Sequence, residues 1–182
     1  IISEMGGTIK VDSIKGKGTT ITVHLDIPIA TPEQLQEAEQ KASQIEGPAV
    51  INFKGEHILV AEDHPLNREI VLRILQKHGL VVTLAEDGQK AVDTFTKSEE
   101  NFFSAILMDV RMPLMDGLEA TRRIRTLPRQ DAKTLPIIAM TAEAFDENKK
   151  ATIAAGMNEH LTKPINPKQL LSTVQRMINN KA

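Results

Sequence analysis

The chain has 182 residues, 41% of them hydrophobic and 25% charged, with a formal net charge of −2, a composition of the soluble globular class with room for one domain and an appendage. Without a basic excess it offers no nucleic-acid surface, and without cysteine it has no disulfide framework, thiolate metal site or Cys nucleophile, which agrees with a reducing compartment. Apolar runs such as Ala105-Ile106-Leu107-Met108 are far too short to span a bilayer, so no direct membrane contact is expected of this stretch of chain.

The start, Ile1-Ile2-Ser3-Glu4-Met5, has no initiator Met and no basic-then-apolar signal pattern, and it reads as a piece of something longer. Gly6-Gly7 is suited to end a helix. Ile9 and Val11 then alternate with polar residues, as do Ile21, Val23 and Leu25, and Lys15-Gly16-Lys17-Gly18 lies between the two runs. That pattern predicts an antiparallel hairpin with a glycine turn. Residues 1–29 are too few to enclose a core by themselves. Residues 30–54 form a linker carrying one short helix. Thr31-Pro32-Glu33-Gln34 supplies a capping hydroxyl, a proline at the first helical position and Gln at the third. Leu35, Ala38, Ala42 and Ile45 follow on one stripe, and Gly47-Pro48 ends it. The stripe fits either a solvated spacer or a short dimerising or docking helix.

From residue 55 to 180 the pattern is regular. Strand-like apolar runs occur at Ile58-Ala61, Leu80-Leu84, Ala105-Met108, Ile137-Met140 and His160-Thr162. Between and after them lie helical faces: Leu66, Ile70, Val71, Ile74 and Leu75; Leu118, Thr121 and Ile124; Leu170, Leu171, Val174 and Ile178. Near-continuous apolar strands alternating with amphipathic helices predict an α/β domain, a doubly wound parallel sheet covered on both faces. In such sheets functional groups collect beyond the carboxyl ends of the strands.

Those ends carry Glu62-Asp63, Asp109, Thr141 and Lys163. If the first strand lies between the second and third, three carboxylates meet and repel one another, so the cluster needs a cation. An all-oxygen ligand set with room for water suits Mg²⁺. A metal held by Asp63 and Asp109 can also bind a phosphoryl oxygen while an Asp109 oxygen attacks phosphorus. Lys163 would pair with a second phosphoryl oxygen, and Thr141 would donate to a third. Taken singly, a strand-terminal Asp is commonly a helix N-cap; the joint pattern on one sheet edge points to phosphoryl transfer.

The same residues carry a family resemblance. Ile58-Leu59-Val60-Ala61-Glu62-Asp63-His64-Pro65-Leu66-Asn67-Arg68, Met108-Asp109-Val110-Arg111-Met112-Pro113-Leu114-Met115-Asp116-Gly117, Ala139-Met140-Thr141-Ala142 and His160-Leu161-Thr162-Lys163-Pro164-Ile165 resemble the four signature segments of response-regulator receiver domains, in order and spacing. The resemblance implies a flavodoxin-like five-stranded sheet of order 2-1-3-4-5. It implies Asp109 as phosphoacceptor, with Mg²⁺ held by Asp63, Asp109 and the backbone carbonyl of Arg111, and Glu62 on a metal-bound water. It also implies a cis peptide between Lys163 and Pro164, a Thr141 that moves on activation, and a Gly117 that allows the tight loop. His160 stands where the family often has an aromatic switch coupled to Thr141, and His64 where hybrid kinases often have Asn. Arg111 and Glu143 occupy positions that influence phosphoryl hydrolysis.

Met5-Gly6-Gly7-Thr8-Ile9 and Gly16-Lys17-Gly18-Thr19-Thr20-Ile21 resemble the end of the ATP-binding domain of sensor histidine kinases. The parent would then be a membrane-anchored hybrid kinase with this part in the cytoplasm. The chain contains no nucleotide-binding or His-phosphorylation segment and no DNA-binding output domain. The partner implied is a histidine kinase or histidine phosphotransfer domain. Two alternatives are a Mg²⁺-dependent aspartyl phosphohydrolase, which would need an acid where Arg111 stands, and a degenerate receiver that only binds proteins.

Overall fold

The computed structural model describes residues 6–26, 52–142 and 146–180. The linker helix expected over residues 31–45 and the residue Glu143 lie outside them. The chain divides into two units, Ile1–Ala49 and Val50–Ala182. In the first, β1 (Thr8–Ile14) pairs antiparallel with β2 (Gly18–His24). Gly16 and Gly18 make the turn at φ 82° and 113°, a region open to glycine. Register pairs Ile9 with Val23 and Val11 with Ile21, so four apolar side chains share one face, and all four are exposed within the described residues.

The second unit is a parallel sheet of order β4-β3-β5-β6-β7, built from β3 (His57–Ala61), β4 (Val81–Ala85), β5 (Ala105–Asp109), β6 (Ile137–Thr141) and β7 (Glu159–Thr162). Its helices are α1 (Pro65–Lys77), α2 (Gly88–Lys97), α3 (Gly117–Thr126), the single turn α4 (Asp131–Thr134), α5 (Asp146–Ala155) and α6 (Pro167–Asn179). The order is the expected 2-1-3-4-5 when counted from β3. Strands β5 and β6 are buried at every residue, which explains why they read as continuous apolar runs.

Successive side chains point to opposite faces. Leu59, Ala61, Ile106, Met108, Ile137 and Ala139 face one core with Ala91, Phe95, Ala120 and Ile124 of α2 and α3. Ile58, Val60, Leu107, Ile138 and Met140 face the other with Val71, Leu75, Leu170 and Val174 of α1 and α6. A one-residue slip of any central strand would exchange these two sets, so register is tightly specified.

One helix differs from its sequence reading. On α1, Val71 and Leu75 are buried, but Leu66 is 62% exposed and Ile70 45% exposed. Residues four apart overshoot a full turn by roughly 40° per step in a 3.6-residue helix. The row Leu66, Ile70, Ile74 therefore slants across the surface and reaches the core only at Ile74, which packs against it.

At the amino end of the sheet the loop after α2 is held by a buried ion pair. Arg129 Nε and Nη2 donate to Asp131 at 2.7 and 2.8 Å. Arg129 also donates to the carbonyls of Phe95, Ser98 and Glu99, with its guanidinium 4.3 Å from the Phe95 ring centre. Asp131 Oδ2, which takes Arg129 Nη2, also accepts from the Asn101 amide at 2.8 Å. Removing one partner leaves a buried charge unmatched. Asp131→Ala should therefore cost about 3–5 kcal/mol in urea unfolding followed by circular dichroism.

Candidate functional site

Register assembles the site. Ala61 pairs with Met108, so the next residues, Glu62 and Asp109, stand side by side where the strands end. Asp109 in turn pairs with Met140 and Thr141 with Thr162, and the Lys163 amide donates to Thr141 O at 2.7 Å. Glu62, Asp63 and Asp109 each offer a carboxylate oxygen, and these atoms lie within 4.8 Å of one another. Lys163 Nζ reaches into the group, 2.7 Å from Glu62 Oε2 and 2.5 Å from Asp109 Oδ2. The Lys163–Pro164 peptide is cis, as expected.

The electrostatics are unbalanced. Glu62 and Asp109 are almost fully buried. Burial pushes the Asp109 carboxyl above its usual range; the Lys163 ammonium opposes this, and the Glu62 charge adds to it. For Lys163 burial opposes the charged form, but hydrogen bonds to Asp109 and Glu62 outweigh it and hold the ammonium above its ordinary value. Three carboxylates thus face one ammonium, and at such spacing two like charges repel by roughly 3–4 kcal/mol for an effective permittivity near 20. The donor set is hard oxygen, and a divalent ion such as Mg²⁺ fits both its charge and its chemistry.

None of the three acids caps a helix. The α2 and α3 caps are Asp87, which accepts from the Lys90 amide, and Asp116, which accepts from the Glu119 amide. The N-cap of α1 is His64, whose side chain makes no capping bond. Asp109 lies upstream of α3, and its Oδ1 takes the Arg111 amide at 3.2 Å. Gly117 opens α3 against the β5 end: a Cβ there would stand 2.1 Å from Asp109 O and 2.9 Å from Met108 Cγ. Its role is close approach, since no side chain fits between the helix and the end of β5.

Asp63 and Arg111 line an open cleft of about 510 Å³ with Met112, Pro113 and Asp116. Thr141 is nearly buried at the end of β6. His160 lies opposite Ala139 in β7, its imidazole 31% exposed and 3.3 Å from Glu159. Asn67 received no role from the sequence. Its Nδ2 donates to Glu62 Oε1 at 2.9 Å, so both oxygens of that carboxylate are engaged, one by Asn67 and one by Lys163. A polar side chain one turn into α1, after two acids at a strand end, is the signal that could have found it.

Comparison with known proteins agrees with this geometry. Residues 58–175 match the family model described as the response regulator receiver domain. Hybrid signal transduction histidine kinase I of Dictyostelium discoideum is 38% identical over 123 residues, 66% of this chain and 7% of that protein. Sensor protein EvgS of Escherichia coli (strain K12) is 35% identical over 165 residues, 91% of this chain and 13% of EvgS. The chain thus spans a small part of the length of these relatives. Among solved structures, the receiver domain of sensor histidine kinase PA1611 from Pseudomonas aeruginosa PAO1, with a magnesium ion coordinated in its active site cleft, aligns at TM-score 0.62 and 38% identity, covering 69% of this chain and 98% of that one. A chain of the co-crystal of the Saccharomyces cerevisiae histidine phosphotransfer protein Ypd1 with the receiver domain of its downstream response regulator Ssk1 aligns at TM-score 0.64 and 28% identity, covering 71% and 93%.

The uncompensated charge has a measurable consequence. Asp109→Asn should raise the thermal unfolding midpoint in a chelating buffer at neutral pH by a few degrees, about 1 kcal/mol of relieved repulsion and desolvation. The sign follows from linkage. A raised carboxyl pKa subtracts stability fully above the raised value, and this is relieved as pH falls toward the unfolded value near 3.9. The gain in the variant should therefore shrink in acid, as read by circular dichroism melts.

Proposed function

This chain belongs to the response regulator receiver family, and from that premise we propose that Asp109 is the phosphoryl acceptor of a two-component phosphorelay. The receiver domain of two-component signalling is the function of residues 58–175; the roles of single residues are the proposal. The observation that carries it is Lys163 Nζ placed between Asp109 and Glu62 at the carboxyl edge of the sheet.

An Asp109 carboxylate oxygen attacks phosphorus, forming an acyl phosphate as the bond from phosphorus to the donor histidine nitrogen breaks. The imidazole leaves with the bonding electron pair. Lys163 keeps Asp109 ionised in a buried setting that favours the neutral acid, and its ammonium pairs with a phosphoryl oxygen as charge moves outward. Thr141, at the neighbouring strand end, donates its hydroxyl to another phosphoryl oxygen. Asp63 and Asp109 would hold Mg²⁺ with the Arg111 carbonyl, Glu62 contributing through a bound water. When bound, the ion neutralises the carboxylates and the phosphoryl group together. His160 is the proposed switch partner of Thr141.

The donor is a phosphohistidine, or the onward acceptor an unphosphorylated histidine, of a histidine kinase or a histidine phosphotransfer domain; the Ypd1–Ssk1 co-crystal is an example of that pairing on a related receiver. The parent is a hybrid sensor kinase of which residues 1–29 are the end of the ATP-binding domain, residues 30–54 the linker and residues 55–180 the receiver. A match to EvgS over 91% of the chain necessarily runs upstream of the receiver, which supports this reading. No helix among the described residues is long and apolar enough to cross a membrane, and the cytoplasm is the proposed location.

Incubation with acetyl phosphate and Mg²⁺ should add one phosphoryl mass to the intact chain. The adduct should be absent in Asp109→Asn and absent in the wild type under chelation. No adduct in the wild type would leave a protein-binding module; sustained release of phosphate over many turnovers would favour a hydrolase.

A further inference from the structure

Asn67 and Arg68 follow the acidic pair into the first turn of α1, and Arg68 has no part in the chemistry above. Its guanidinium is mostly buried, with 15% of the side chain exposed. A single nitrogen, Nη1, donates to two successive backbone carbonyls, Glu62 O at 2.7 Å and Asp63 O at 2.9 Å. On the far side Nη2 stands 3.9 Å from Glu86 Oε1, beyond the end of β4. The Arg68 amide begins the helix by donating to His64 O at 3.0 Å.

The two carbonyls belong to the successive peptide planes on either side of the Asp63 Cα. Fixing both planes fixes the backbone at Asp63, and with it the direction in which its side chain leaves the chain. The Glu62 amide is tied separately, to Ala85 O at 3.1 Å. Hydrogen bonds from a charged donor are among the stronger ones, whereas Glu86, the acid facing Nη2, is exposed and screened. The guanidinium is therefore placed for the carbonyls more than for an ion pair.

We propose that Arg68 is a positioning residue for the divalent-cation site, holding the Glu62–Asp63 backbone so that Asp63 presents its carboxylate beside Asp109. This rests on the reading of the carboxylate cluster as a Mg²⁺ site. A competing effect has the opposite sign: a cation close to the cluster repels Mg²⁺, so charge alone would make removal of Arg68 tighten binding. Groups that orient metal ligands from behind typically control affinity by 10–100-fold, and the two short bonds put orientation ahead of repulsion here.

The test is a Mg²⁺ titration of the full chain followed by backbone amide shifts in NMR, with thermal midpoints taken under chelation. Arg68→Ala should raise the half-saturating Mg²⁺ concentration about tenfold. Arg68→Lys, which keeps the charge and can still donate without the planar geometry, should raise it less. Arg73→Ala, on the exposed side of α1 and paired with Glu69, should leave it unchanged. Half-saturation unchanged or lowered in Arg68→Ala, or in Arg68→Lys should the alanine variant not fold, overturns the assignment. A wild type whose amides do not respond to Mg²⁺ overturns the metal-site reading itself, and this inference with it.

Discussion

At the carboxyl edge of the sheet Lys163 Nζ lies 2.7 Å from Glu62 and 2.5 Å from Asp109, with Asp63 alongside. One ammonium cannot balance three carboxylates, and it sits where water is largely excluded from two of them. The residual negative charge suits the cluster to a small hard cation, and in the function proposed above to a phosphoryl group arriving with it. Without Lys163 the buried Asp109 would be driven toward its neutral form; without the acids the lysine would have no reason to point inward.

The cluster exists only because the sheet is built correctly. Glu62, Asp109, Thr141 and Lys163 come from four segments far apart in sequence, and parallel register alone brings them to one edge. That register is enforced by alternation in β3, β5 and β6, where neighbouring residues serve different cores. Each fully buried Ile or Leu contributes roughly 1.5–3 kcal/mol, so several together outweigh the few kcal/mol of repulsion concentrated at the strand ends. Gly117 shows how tight the fit is: α3 starts so close to Asp109 that a methyl group would collide with its carbonyl.

Much of this was legible in the residues. The central strands are buried on both faces and so appear as unbroken apolar runs, and the Lys15-Gly16-Lys17-Gly18 turn placed the hairpin. The acidic pair, Asp109, Thr141 and Lys163 were found because strand ends can be read once strands are known. The helices were harder. Leu66 and Ile70 looked like core residues because a four-residue spacing resembles a stripe, yet its slant carries them to the surface. The α2 face was not singled out, since it rests on Ala91, Val92 and Phe95, one large side chain among small ones. Arg129 and Arg68 were invisible for a different reason. Their partners include backbone carbonyls, which every residue has, and side-chain pattern carries no record of which carbonyl a guanidinium will find.

The phosphoryl acceptor proposed at Asp109 is the residue on which the rest depends. A crystal structure of the chain grown with Mg²⁺ and beryllium fluoride, which mimics the phosphoryl group, tests it. The account predicts beryllium bonded to an Asp109 carboxylate oxygen, Lys163 Nζ and the Thr141 hydroxyl on separate fluorides, and Mg²⁺ against Asp63 and Asp109. Beryllium fluoride on another carboxylate, or an Asp109 still bonded only to Lys163 and the Arg111 amide under saturating ligand, would contradict it.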